Sequence, residues 1–419
     1  MLFMFQLTLK SIKNRKFTAI LTTLTIALSV CLLIGVQKIR YEAKNSFTNT
    51  ISGTDLIVGA RSGSIQLLLY SVFRIGNATN NLSWESYLDI QQNRKVKWAV
   101  PLSLGDSHKG FRVLGTRATY FEHYLYQGDK ALEFTQGKPF KGVFDAVIGA
   151  EVAKKLGYQL QDNIVISHGA GEISFSKHDN MPFTVTGILK KTGTPVDQTI
   201  HVSLSAIEAI HVGWESGASP RHKISAEQAL KQDLAPKTIT AVMLGLHRKH
   251  SIFSVMRSVN EYPEEPLLAI MPGIALQELW QLVGVAEQAL LVISGFVVLT
   301  GLMGMLTVIL SSLNERRREM AILRSVGARP WQIATLLVSE AFIFTLLGIL
   351  FGIGLLYGLL WILQPWMFDQ FGLYMPMTFM HSDALWVLLS ILCMGLVIGL
   401  IPGYRAYKTT LTDGLTIKV

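Results

Sequence analysis

The chain is short of charge and nearly free of cysteine, and each shortage removes a class of protein. Asp, Glu, Lys and Arg make up 16% of the 419 residues, against roughly 25% in an average soluble domain. Mean hydropathy is +0.36 and half of the residues are hydrophobic. That is too apolar for an ordinary soluble fold and too polar for a chain lying wholly in a bilayer. A few membrane spans joined to one sizeable water-soluble domain satisfy both facts. The two cysteines, Cys31 and Cys393, both lie inside apolar runs, so a soluble domain has neither a disulfide framework nor a metal-thiolate site. It must rely on its own core, for which about 240 residues are ample.

Signatures of catalysis and energy coupling are missing as well. No G-x-x-x-x-G-K-[ST] phosphate loop occurs; Gly137-Lys138 is followed by Pro139 and lacks the earlier glycine. There is no H-E-x-x-H, no G-x-S-x-G and no spaced Cys/His zinc pattern. Nor do the apolar runs carry rows of acids, histidines or lysines, each of which costs about 2.5–3.5 kcal/mol at mid-bilayer. Glu340 is the exception; it reads as an interfacial or Arg-paired structural carboxylate, with function as the alternative. These absences predict a non-catalytic chain that binds no cofactor and no metal, and they argue against a polar translocation path.

A formal charge of +9 would suit nucleic acid, but the positions of the charges point elsewhere. Lys10, Lys13, Arg15 and Lys16 precede the first apolar run, Arg316, Arg317, Arg318, Arg324 and Arg329 fill one loop, and Arg405 and Lys408 follow the last run. From Pro330 to Tyr404 there is no Lys or Arg. This is the positive-inside pattern, and it predicts both termini on the cytoplasmic side and no nucleic-acid partner.

Four spans follow, at residues 17–36, 286–313, 333–363 and 384–404, each long enough for the ~20 residues a bilayer requires. The first reads as an uncleaved anchor, because a signal-peptide core is only ~7–15 residues. Residues 1–16 carry Leu2, Phe5, Leu9 and Ile12 at helical spacing, as in an interfacial amphipathic helix. Residues 364–383 form a short outer loop with Trp366, Phe368, Phe371 and Tyr374, and 405–419 a cytoplasmic tail. Residues 37–285 form a large outer domain of α+β type. Short strands are expected at 113–115, 146–149, 164–167 and 183–188, and short helices at 84–92, 150–156, 204–210 and 227–230. Its two ends, 37–51 and 272–288, read as helical stalks.

The most informative segment is residues 314–332, N-E-R-R-R-E-M-A-I-L-R-S-V-G-A-R-P-W-Q. Met320, Ile322, Leu323 and Val326 interrupt the charges at helical offsets. Gly327 is placed to end the helix and Pro330 to begin the next. The pattern suits a short amphipathic helix at the inner surface, either anchoring helix ends at the headgroups or docking a partner. Glu315, Arg316, Arg317, Arg318, Glu319, Met320, Leu323, Arg324 and Gly327 are the candidate docking residues. Gly348/Gly352, Gly354/Gly358 and Gly395/Gly399 have G-x-x-x-G spacing, which suits close helix packing within the chain or a dimer seam.

Two features of the outer domain leave alternatives open. All ten histidines fall on the outer side; His168, His178 and Glu172, or His247 and His250, form a weak zinc pattern. Residues 64–76, S-I-Q-L-L-L-Y-S-V-F-R-I-G, are unusually apolar, and read as core or as a surface for lipid or acylated cargo.

The stretch E-R-R-R-E-M-A-I-L-R-S-V-G-A-R-P-W-Q-I, with L-L-V-S-E-A-F-I-F-T-L-L-G-I-L-F-G after it, resembles the FtsX-like permease domain of ABC transporters of the MacB/LolC/FtsX type. In the outer domain G-T-D-L-I-V-G, V-I-G-A-E-V-A-K-K-L-G-Y and F-T-V-T-G-I-L-K-K-T-G-T-P-V-D are similar to the MacB-like periplasmic core. The resemblance implies a bacterial inner-membrane permease subunit, homodimeric or heterodimeric, whose partner is a separate cytoplasmic ATPase that holds the ATP and Mg. It implies that residues 315–327 are the coupling helix and that ATP-driven motion passes to the stalks and outer domain by mechanotransmission. The expected cargo is a lipoprotein, lipid-linked molecule or peptide, with a periplasmic or lipoprotein partner; the alternatives are an FtsX-type regulator of a periplasmic enzyme and a zinc-homeostasis permease. The apolar 65–75 insert departs from the family pattern.

Overall fold

The computed structural model describes residues 15–48, 50–168, 180–213, 224–315, 317–371, 377 and 382–408. The chain divides into a helical unit, residues 1–43, 284–367 and 375–419, and a sheet unit, residues 44–283 and 368–374.

Four helices, Lys16–Thr48, Pro272–Glu315, Pro330–Phe371 and Ser382–Lys408, each hold a stretch long and apolar enough to cross a membrane. They outrun the apolar segments that announce them. Hydropathy marks the part suited to lipid, whereas a helix continues until something breaks its hydrogen bonds. Residues 37–48 contain no Gly or Pro, and the first helix runs on to Thr48. The third helix passes through Pro365 to Phe371, so part of the expected 364–383 loop is helical. The fourth likewise passes through Pro402 to Lys408. Where water cannot reach, Thr22, Ser29, Ser294 and Thr345 donate their hydroxyls to the carbonyls four residues back, as apolar surroundings require. Ile26, Val30, Leu302, Met305, Leu337 and Phe344 form the centre of this unit's core.

The sheet unit is built on one mixed sheet. From edge to edge its strands are Leu267–Ile270, Leu56–Ala60, Ala241–Leu246, Val96–His108, Phe111–Thr116, Thr199–Ser203, Asp145–Ile148, Phe183–Leu189 and Phe134–Gly137. Thr199–Ser203 runs parallel to Phe111–Thr116, and Phe183–Leu189 parallel to Asp145–Ile148; the other neighbours on this path are antiparallel. Side chains alternate between faces. Ile57 and Met243 enter one core with Leu102 and Leu114, while Leu56, Val58, Val242 and Leu244 enter another on the opposite face. Both faces are therefore covered, and Leu56–Ala60 and Ala241–Leu246 are buried along their whole length.

Of the expected helices, Trp84–Gln92 and Ala150–Leu156 are reproduced at both ends. Ser83 accepts a hydrogen bond from the Ser86 N–H at the start of the first, and Gly157, at φ +70°, ends the second. The strand Val96–His108, 13 residues long, has no counterpart among the expected short strands. Lys97, Pro101, Gly105 and Asp106 interrupt its alternation, and its length comes from two successive partners, Ala241–Leu246 along its first half and Phe111–Thr116 along its second. Residues 1–14 and 409–419 lie outside the described residues.

Candidate functional site

Between the second and third long helices stands a short helix, Arg317–Ser325. Its C-terminus is closed by two backbone bonds: Gly327 N–H to Arg324 O at 3.0 Å and Ala328 N–H to Leu323 O at 3.0 Å. This pairing requires a left-handed residue after the cap, and Gly327 supplies it at φ +103°. Two residues on, Pro330 opens the third long helix and Gln332 turns its Oε1 back to accept the Arg329 N–H at 2.8 Å, half of a capping box. Both stop and start therefore sit where the sequence places them.

Within this helix the sides are unequal. Met320 packs against the core of the helical unit and Ala321 is buried. Leu323 and Arg324 are half-buried, and Glu319 is exposed. The outward apolar side chains are Ile322, 54% exposed, and Val326, 84% exposed. Both belong to the pattern read from sequence, but neither stands among the candidate docking residues, whereas Met320, which does, faces inward. Their spacing of four, one helical turn, was the available signal. Arg316 lies outside the described residues, as do the side chains of Glu315, Arg317 and Arg318.

The glycine pairs separate into two groups. A Cβ on Gly348 would lie 2.5 Å from Ile26 Cγ2, and one on Gly352 2.7 Å from the Ala27 carbonyl, so these two seat the third helix against the first. Gly395 and Gly399 do the same between fourth and third helices, where a Cβ would meet Thr345 Oγ1 at 2.3 Å and Ala341 Cβ at 2.6 Å. Among the described residues Gly354 and Gly358 have no atom within 4 Å of a Cβ position, and packing between the described helices does not extend to them. Glu340 is buried in the helical unit and engages in an interaction there.

In the sheet unit the apolar 64–76 segment resolves into core. Its helix, Ser64–Ser71, buries Leu67, Leu68 and Tyr70, and Phe73 follows them inward. Around Phe73 the ends of both expected stalks converge: Phe47 stacks on it at 4.8 Å between ring centroids and meets Trp280 edge-on at 5.7 Å. Ser64 Oγ donates to Glu278 Oε2, and Ala275, Leu276 and Leu279 complete the cluster. The insert thus holds residues from two chain segments more than two hundred positions apart.

The described histidines are dispersed. His108 bonds Val165 O and Tyr158 OH at 2.6 and 2.9 Å, His123 stacks on Trp98, and His211 lies 3.9 Å from Asp106. No three His, Cys, Asp or Glu side chains gather at metal-binding distance among the described residues. His178, His222, His381 and Glu172, with the side chain of His168, lie outside them.

Residues 19–232 match the MacB-like periplasmic core domain, just over half of the chain, and residues 291–411 match the FtsX-like permease C-terminal region. The macrolide export ATP-binding/permease protein MacB of Nitrobacter winogradskyi is 24% identical over 302 residues, which are 71% of this chain and 42% of that protein. The pyoverdine export ATP-binding/permease protein PvdT of Pseudomonas fluorescens is 28% identical over 232 residues, 53% of this chain and 31% of the relative. An uncharacterized ABC transporter permease of Bacillus subtilis, YknZ, is 42% identical over 66 residues, 16% of this chain and 17% of its own. The chain thus spans less than half the length of these curated relatives. Among solved structures, the periplasmic region of MacB from Actinobacillus actinomycetemcomitans is 10% identical with a TM-score of 0.34, covering 55% of this chain and 94% of that one. The extracellular domain of YknZ is 14% identical with a TM-score of 0.31, covering 52% and 99%. With four membrane-length helices, a mixed α/β sheet unit and both domain matches, the chain belongs to the MacB-like, FtsX-like permease family of ABC transporters.

Proposed function

We propose that this chain is the transmembrane subunit of an inner-membrane ABC transporter, with both termini cytoplasmic, driven by a separate ATPase that binds ATP and Mg. The ATPase seats on residues 315–327, and a second permease chain, identical or related, completes the assembly. The observation that carries this reading is the short helix Arg317–Ser325 and the turn that ends it, which set Ile322 and Val326 outward between two membrane-length helices. Exposed apolar side chains within an arginine-rich segment suit insertion into a groove of a protein partner. Headgroup anchoring alone would favour the arginines and leave Val326 without a role.

Motion at this helix passes along the second and third long helices to the sheet unit, where cargo in the envelope is engaged. The relatives' names specify macrolide and pyoverdine export for those proteins; a lipoprotein, lipid-linked molecule or peptide is the class we assign here. Burial of the 64–76 segment removes it as support for a lipidic cargo.

Mass spectrometry of proteins that co-purify with the full chain in mild detergent tests the proposal. An ABC ATPase in the eluate, lost on Ile322→Asp, is the expected result, and any periplasmic protein beside it identifies the pathway. Repeated recovery of folded permease without an ATPase would overturn the assignment.

A further inference from the structure

The helical unit holds a groove of ≈590 Å³ between its first and third long helices. Ile20, Leu24 and Ala27 form one wall, and Leu347, Phe351 and Gly354 lie across from them. Lys16 stands at one end; apart from it and Thr23 the lining is apolar, and no carboxylate belongs to it. Gly348 and Gly352 bring the two helices together against Ile26, Ala27 and Val30, which closes the back of the groove. Gly354 does the reverse: with no atom within 4 Å of its Cβ position, it leaves the groove open.

Depth and charge identify an occupant. From Lys16 to Ala27 the first helix rises about 17 Å at 1.5 Å per residue. That is close to half of a ~30 Å hydrocarbon core, so the groove is one leaflet deep with its cation at the headgroup level. A single acyl chain is thin enough to fit. Among the described residues, the Lys16 ammonium at the rim, beside Arg15 and with no acid in the wall, complements a headgroup of net negative charge.

We propose that this groove binds one acyl chain of an anionic glycerophospholipid from the leaflet at the Lys16 end, with the Lys16 ammonium on its phosphate. The proposal rests on the four helices crossing a bilayer and on nothing about the ATPase.

Native mass spectrometry of the full chain tests it, using equal amounts of phosphatidylglycerol and phosphatidylcholine with identical acyl chains. The wild type retains phosphatidylglycerol about fivefold over phosphatidylcholine, the preference expected of one lysine near the membrane surface. Lys16→Gln keeps lipid but brings the ratio to about one. Gly354→Phe fills the groove and loses both lipids at least tenfold, with the thermal midpoint unchanged because the added side chain starts in open space. Equal retention of the two lipids by the wild type, an unchanged ratio in Lys16→Gln, or undiminished lipid in a folded Gly354→Phe would each overturn the proposal. So would dissociation of a permease dimer by Gly354→Phe with its lipid intact, because the occupant would then be a second copy of the chain. Continued recovery of the ATPase with either variant separates this outcome from failure of the transporter reading.

Discussion

Arg40 Nε lies 2.7 Å from Glu287 Oε2, joining the first long helix to the second one residue before the second helix's uncharged stretch begins. Glu287 is largely covered while Arg40 is about half exposed, so solvent screens the pair, and such a pair contributes about 0.5 kcal/mol. Nearby, Lys38 lies over the Tyr357 ring and 3.7 Å from Glu42, which ties the same level of the first helix to the third. Arg40→Glu brings two carboxylates together and lowers the thermal midpoint in detergent by about 2 °C. Adding Glu287→Arg restores most of it. A double-mutant cycle with no coupling between the two positions would show that the helices are held here by other contacts.

A buried histidine gives the sheet unit an acid limit. His201 is fully buried between Tyr120 and Phe121. Its Nδ1 faces the Val147 carbonyl at 3.3 Å, while Nε2 has no hydrogen-bond partner among the described residues. Burial, with the Arg74 guanidinium nearby, pushes its pKa down to about 3. Between that value and the ordinary ~6.5 the unfolded chain binds a proton that the folded chain refuses. Stability is therefore full above about pH 6.5 and falls as pH drops towards 3, by up to about 1.4 kcal/mol per unit. His108, also depressed by burial, adds a slope of the same sign. Urea unfolding at pH 7 and pH 5 measures the slope; His201→Phe, which suits the aromatic surroundings, reduces it. An unchanged slope in that variant would assign the acid sensitivity elsewhere.

Legibility from sequence followed how local the deciding interaction is. Gly157, Gly327 and Pro330 act within a turn, and their helix ends fall where the sequence puts them. The four long apolar helices were legible for the same reason, since twenty apolar residues need no partner to be recognised. Non-local choices were not legible. Whether Phe73 faces lipid or core depends on Phe47 and Trp280, which arrive from opposite ends of the domain. Which face of the Arg317–Ser325 helix turns outward depends on where Met320 finds packing. The long Val96–His108 strand is likewise set by its partners: Ala241–Leu246 and Phe111–Thr116 hold it in place across Pro101 and Gly105.

The aromatic cluster makes the insert a mechanical clasp, and its loosening is measurable. Phe47 is partly buried against Phe73 and Trp280, so Phe47→Ala costs about 2 kcal/mol, below the 3–5 of a fully buried ring. Hydrogen exchange of the full chain reads the location. Amides of residues 67–75 exchange faster in Phe47→Ala, while those of the distant Ala150–Leu156 helix keep the wild-type rate. Uniform acceleration across the sheet unit would mean that the insert has no special hold on the stalk ends.

The exposed face around the short Arg317–Ser325 helix yields the sharpest contrast, because neighbouring residues have opposite expected outcomes. Ile322 and Val326 point outward, and replacing either with Asp exposes nothing that was buried. Such surface changes usually stay within about 0.5 kcal/mol of wild-type stability, so Ile322→Asp and Val326→Asp leave the thermal midpoint in place. Met320 packs on the core of the helical unit, so Met320→Asp buries an unpaired carboxylate and lowers the midpoint. Under the proposed coupling, the outward variants release the co-purified ATPase at least tenfold without loss of permease, whereas Met320→Asp reduces the yield of permease itself. Full ATPase recovery with both outward variants would move the docking site off this face and onto the arginines preceding it.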